Sequence, residues 1–209
     1  MDIIKKYFSD FTDEQQNKFA GLQAQYELWN SQINVISRKD MEQFYLHHVL
    51  HSLAIAAQFE LKAGMKVMDL GCGGGFPGVP LAIMFPEVDF LLVDSINKKL
   101  KVVNEVCAAL EIKNVTTQHS RAEAIKPKST DLVVSRAVAS LKDLWTWSKL
   151  VLRKYPGVDE HTPNGLICLK GVDLTQEIFE SGCKPFVWEM QHIFDEPYFA
   201  EKFLLYVKK

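Results

Sequence analysis

Three glycines at alternate positions, Gly71, Gly73 and Gly75, begin two residues after an acid, Asp69. A second acid, Asp94, lies 23 residues beyond Gly71. The glycines follow the short run Val67-Met68-Asp69-Leu70, and Asp94 closes the apolar run Phe90-Leu91-Leu92-Val93. A strand that turns through glycines into a helix can receive a nucleoside-like ligand, because the chain approaches the ligand with no Cβ in the way. An acid ending the next strand can accept hydrogen bonds from both ribose hydroxyls. The dinucleotide fingerprint G-x-G-x-x-G fails, since Phe76 stands where the third glycine belongs. A G-x-x-x-x-G-K-[ST] phosphate loop is missing, which argues against a nucleoside triphosphate. The alternative is a purely structural turn, with Asp94 capping the following helix.

Cations are the second group with chemistry to offer. Arg121, Arg136 and Lys170 each fall at or just beyond the end of an expected strand. In a parallel sheet those ends share one rim, so a local positive patch is expected there, with surface ion pairs as the alternative. The whole chain shows no such bias: 24 Lys and Arg face 26 Asp and Glu, for a net charge of −2. A general nucleic-acid binder is usually far more basic. Residues 61–150 nevertheless hold 12 basic and 9 acidic side chains, which places any patch in the middle of the chain. His47, His48 and His51 share a helix face, but no H-E-x-x-H accompanies them and no metal is expected. Lys98, Lys99 and Lys101 read as a solvated helix face, and Trp145 and Trp147 as core and rim.

These residues need a scaffold. The chain has 209 residues, 47% hydrophobic and 24% charged, as in an ordinary globular domain with a short appendage. Residues 1–60 read as a helical extension packed on the core. Thr12 and Gln15 form a capping box, and Phe11, Phe19, Leu22, Tyr26 and Trp29 recur at helical spacing. A second helix is expected from about Asp40 to Phe59. From residue 61 to 209, strands alternate with helices: strands at 67–70, 90–94, 115–118, 131–135 and 166–169, helices at 81–85, 97–110, 141–152 and 172–179. Two further strands, 186–192 and 203–207, have no long helical pattern between them, so the ending is antiparallel. Tyr155–Asn164 reads as a loop. The pattern predicts an α/β fold with a mostly parallel, seven-stranded, Rossmann-like sheet. No apolar run is long enough for a membrane span, no signal peptide is visible, and the four cysteines are scattered, as in a reduced, cytoplasmic protein.

An acid two residues before G-x-G-x-G resembles the first motif of class I S-adenosylmethionine-dependent methyltransferases. The longer run Asp69-Leu70-Gly71-Cys72-Gly73-Gly74-Gly75-Phe76-Pro77-Gly78-Val79-Pro80-Leu81 resembles that of the bacterial RsmG (GidB) family of 16S ribosomal RNA (guanine-N7) methyltransferases. Further segments agree in order: Trp29-Asn30 with Asn34 and Ser37, His48-Val49-Leu50 with Ser52, Leu92–Ser95, Ser120–Glu123, Ser135–Ala139 and Leu169–Gly171. Cys72 stands where the family pattern has Thr or Ser. His51 replaces an Asp, Val35-Ile36 replaces Leu-Thr, and Lys202 stands near a usual Arg.

The resemblance implies S-adenosylmethionine as cofactor, held by Asp69, Gly71, Gly73, Gly75, Phe76, Asp94, Ala122, Glu123 and Arg136. It implies contacts to 16S ribosomal RNA or the small subunit through Arg121, Arg136, Lys170, Arg38 and His48. Guanine N7 carries a lone pair and no proton, so no acid–base pair is expected. Arg136, Arg121 and Lys170 would act by positioning. A monomeric enzyme is expected. The alternatives are a methyltransferase for another RNA or a small molecule, and a non-catalytic RNA-binding protein of ribosome assembly.

Overall fold

The computed structural model describes residues 1–136, 138–154, 162–171 and 174–209. The expected loop at 155–164 and the start of the helix expected at Val172 fall largely outside these residues, as does Ala137. The N-terminal layer comprises α1 (Asp2–Lys5), α2 (Asp13–Asn30), α3 (Arg38–Glu42), a π-helical turn at Tyr45–Leu50, and α4 (His51–Gln58). Thr12 and Gln15 make the reciprocal capping box that starts α2. The helix expected at 40–59 is therefore broken into three pieces. Phe44 and Val49, both buried, are five residues apart. That interval fits a wide π turn, which keeps both side chains in the core where an α-helix would rotate one away.

The sheet follows as β1 (Lys66–Leu70), α5 (Gly78–Met84), β2 (Asp89–Asp94), α6 (Asn97–Ala109), β3 (Val115–His119), β4 (Leu132–Arg136), α7 (Leu141–Val151), β5 (Gly165–Gly171), α8 (Thr175–Ser181), β6 (Phe186–Glu189), α9 (Met190–Ile193) and β7 (Lys202–Lys208). Strand order is β3-β2-β1-β4-β5-β7-β6. The first five strands pair in parallel, and β7 runs antiparallel to both β5 and β6. The strand expected at 186–192 stops at Glu189, and Met190 begins a short helix whose own side chain is fully buried.

β1 and β4 lie at the centre and are apolar on both faces, as strands covered on both sides must be. One face packs into a core shared with the N-terminal helices, including Phe19, Leu22, Tyr26, Phe44 and Phe76. The other face packs on α7 and α8 through Met68, Val93, Val133, Leu141 and Leu144. The carboxyl ends of β1, β2, β3 and β4 consequently meet along one rim. Among the described residues no helix is long and apolar enough to cross a membrane.

Candidate active site

The glycine loop leaves β1 and is tied at once to β2. Gly71 and Cys72 both donate their backbone N–H to the Val93 carbonyl, at 2.8 and 3.0 Å. Gly71 has φ +72°, and a Cβ there would stand 2.8 Å from the Val138 side chain, so only glycine fits. Asp94 is buried at the end of β2. One of its oxygens accepts from Gly73 N–H at 2.9 Å and the other from Ile96 N–H at 2.8 Å. An ionised carboxylate offers about four lone-pair sites, so two remain for donors of a ligand. Asp94 and Gly71 line a cavity of about 350 Å³ together with Ser95, Ser120, Arg121, Ala122, Glu123, Val138 and Trp147. That volume suits a small molecule. Another hollow, of about 430 Å³, lies at the amino ends of β1 and β2 beside Lys66 and Asp89 and holds none of the glycine-loop residues.

Four of the residues expected around a cofactor therefore share the cavity: Gly71, Asp94, Ala122 and Glu123. Ser95, Ser120, Val138 and Trp147 join them from motifs or helices not singled out for that purpose. The remaining expected contacts lie elsewhere. Asp69 is fully buried and accepts from Gly78 N–H at 2.7 Å, fixing the loop exit. Burial pushes its carboxyl up to about 7, against the downward pull of that N–H. Gly73 and Gly75 shape the loop without lining the cavity. Phe76 corrects the expectation of an apolar surface in the pocket. Its ring is 3% exposed and packs 5.0 Å from Tyr26 and 4.9 Å from His48, inside the core shared with the N-terminal helices.

The N-terminal layer also grips the loop. The Tyr26 hydroxyl donates to the Gly74 carbonyl at 2.6 Å, and both groups are buried. Gly75, at φ +97°, has the same hydroxyl 3.0 Å from where a Cβ would be. Tyr26→Phe should therefore strand a buried carbonyl and lower stability by about 1–3 kcal/mol. Urea denaturation would read that loss.

The three expected cations do not form one open patch. Arg121 is exposed on the cavity wall. Arg136 is largely buried: its guanidinium donates to the His47 carbonyl at 3.2 Å, lies 2.8 Å from His48 Nδ1, and sits 5.1 Å from the centre of the Phe76 ring. Lys170 is 8% exposed, donates to the Ala139 carbonyl and pairs with Glu177 at 2.7 Å. Glu177 also accepts from Leu141 N–H at 2.6 Å, so this pair joins β5, α7 and α8. Lys170 is thus a brace and lacks the exposure an RNA contact needs. Removing its partner by Glu177→Ala should leave a buried ammonium without a counter-ion and cost about 3 kcal/mol in thermal or urea unfolding.

Arg38 is exposed at the start of α3. His48 is largely buried, and burial together with the Arg136 charge pulls its imidazole down to about 3. It is neutral at ordinary pH and unsuited to bind phosphate. His51 is buried as well, with Nδ1 3.4 Å from the Tyr198 hydroxyl. Among the described residues no three ligating side chains converge on a metal position.

Residues 15–187 match the family described as rRNA small subunit methyltransferase G (GidB). A protein of that name from Bacteroides thetaiotaomicron is 51% identical over 207 residues, covering 99% of this chain and 98% of the relative. Its counterpart from Porphyromonas gingivalis is 48% identical, covering 99% and 92%. The crystal structure of a SAM dependent methyltransferase from Aquifex aeolicus superposes with a TM-score of 0.58 at 15% identity, over 82% of this chain and 98% of that one. That likeness establishes the fold, a mostly parallel seven-stranded sheet with an antiparallel β7. With a matching family profile and near-full-length relatives at about half identity, the chain belongs to the small-subunit ribosomal RNA methyltransferase G family.

Proposed function

We infer that this chain transfers a methyl group from S-adenosylmethionine to N7 of a guanine in 16S ribosomal RNA of the small subunit. The observation that carries this reading is the cavity at the carboxyl ends of β1, β2 and β3. There Asp94, held by two backbone amides, lies beside Gly71 and the Ala122-Glu123 pair in a chain of this family. The residues present fit a nucleoside. Asp94 would hold the ribose hydroxyls, and Ala122 and Glu123 would meet the adenine edge. Trp147 and Val138 would exclude water, while Gly71 admits close approach. When bound, S-adenosylmethionine supplies an electrophilic methyl group on a sulfonium.

The chain's own task is alignment. N7 has an in-plane lone pair and no proton, so no side chain needs to act as a base, and the buried, neutral histidines are consistent with that. Orientation alone can supply roughly 7–11 kcal/mol in favourable cases. Arg121, exposed on the cavity wall, is placed to meet phosphate or the guanine O6, and Arg136 is held at the end of β4 beside the rim. The edge of guanine that carries N7 is hidden in an A-form helix, so a single-stranded or splayed-out guanine is the fitting presentation. The protein acts as a cytoplasmic monomer, with residues 1–60 working as one unit with the core because Tyr26 and Gly74 join them.

Purified protein, labelled S-adenosylmethionine and small subunits from a strain lacking this gene provide the test. Label should appear as 7-methylguanosine at one 16S position. Unlabelled RNA despite measurable cofactor binding would redirect the reading to another RNA or a small molecule. Absence of cofactor binding would favour a non-catalytic assembly protein.

A further inference from the structure

Arg136 is a cation with no ion-pair partner among the described residues. Its guanidinium is largely buried, yet among the described residues no carboxylate comes within ion-pair distance of it. Its hydrogen-bond partners are neutral, the His47 carbonyl at 3.2 Å and His48 Nδ1 at 2.8 Å, with the face of Phe76 alongside, while the charges of Asp69 and Asp40 favour it from beyond ion-pair distance. An unpaired buried charge is costly. A neighbouring carboxylate would relieve the cost but would also cancel the charge. Neutral acceptors fix the guanidinium and leave its field for something that arrives later.

The chemistry of the contact settles the state of the imidazole. Arginine can only donate, so at 2.8 Å His48 Nδ1 must accept. The ring proton then sits on Nε2, and Nε2 is buried with no protein partner. The groups facing this pair are Asp69 and Tyr26 from the core, His47, bonded to Asp40 at 2.9 Å, then His51, and Tyr198, whose ring is stacked on His47 at 4.0 Å with the Lys202 ammonium 4.1 Å above it. Tyr198 also donates to the His47 carbonyl at 3.3 Å. The π turn holds His47 and His48 together, so a carbonyl and an adjacent ring nitrogen can reach two nitrogens of one guanidinium. Such turns occur often at functional sites.

We propose that His48, carried on the π turn and accepting through Nδ1, is the positioning residue that aims the Arg136 guanidinium, which has no ion-pair partner among the described residues, at the substrate RNA. The proposal rests on the RNA-methyltransferase reading for the target of the charge, whereas the His48–Arg136 contact stands apart from it. Asparagine and glutamine separate positioning from mere packing. Asparagine places an acceptor oxygen where Nδ1 was, and glutamine places its acceptor one bond further out.

His48→Ala should lower kcat for small subunits roughly 10- to 100-fold, the range for one hydrogen bond to a charged group. The Kd for S-adenosylmethionine should stay within about threefold on the same argument that the residue lies outside the cofactor cavity. His48→Asn should recover most of the loss and His48→Gln little of it. In the wild-type protein, nitrogen-15 spectra of labelled histidine should show His48 as the neutral Nε2–H tautomer, and Arg136→Met should change that signal. An Nδ1–H tautomer, or Asn and Gln variants equally impaired, would overturn the proposal. If the variants fail to fold, the wild-type tautomer decides alone. If wild-type protein leaves small subunits unmethylated, the functional reading fails, while the tautomer still reports whether His48 holds Arg136.

Discussion

Asp94→Ala is expected to weaken S-adenosylmethionine binding by at least about 100-fold in calorimetry. In the proposed reading two hydrogen bonds from ribose hydroxyls to this carboxylate would be lost, each worth about 1.5–3 kcal/mol. The same substitution unties the loop, because Asp94 also accepts from Gly73 and Ile96. Asp94→Asn separates the two effects. Its carbonyl oxygen can keep one backbone amide, but its NH₂ must face the other N–H, so affinity should fall nearly as far while the fold survives. Retention of wild-type affinity in the Asn variant would place the ribose elsewhere and remove the main support for this cavity as the cofactor site.

The parts of this site that could be read from residue order are those governed by local geometry. Short apolar runs mark the buried strands, and the one ending in Asp94 marks where β2 meets the rim. Alternating strands and helices imply a parallel sheet, and the antiparallel ending followed from the lack of a long helical pattern between the last two strands. Thr12 and Gln15 announced their helix because a capping box is complete within four residues. What escaped depends on distant partners. The side chain of Phe76 turns toward Tyr26 and Phe44, fifty and thirty-two positions away, and nothing in the loop motif shows that. Lys170 looked like a free cation at a strand end until Glu177 was brought beside it by the fold of α8. Trp147 lines the cavity from α7, a matter of packing and not of motif. The π turn left one legible trace, the five-residue interval between Phe44 and Val49, which a search for a period of 3.6 residues passes over.

Arg136 separates function from stability most sharply. Arg136→Met should abolish detectable methylation, with a loss of at least roughly 10²–10³-fold, the scale for removing one preorganised charged donor. The same variant should be as stable as the wild-type protein or more stable. The guanidinium sits against Phe76 at 5.1 Å with neutral hydrogen-bond partners, and Asp69 and Asp40 favour it only from beyond ion-pair distance, so an unbranched apolar side chain of similar reach removes a desolvated charge and keeps the packing. Replacing buried charges with apolar groups of similar size is often neutral or stabilising, by about 1–4 kcal/mol. Against this stands the loss of donors to His47 and His48, about 1–3 kcal/mol at most, and Tyr198 still donates to the His47 carbonyl. Arg136→Lys keeps the charge but cannot bond both acceptors in one plane, so activity should fall almost as far. Thermal denaturation beside single-turnover methylation reads both quantities on the same preparation. A large fall in melting temperature for Arg136→Met would make Arg136 a structural tie, whereas an unchanged or raised one, with turnover gone, would show a buried charge kept for the reaction it serves.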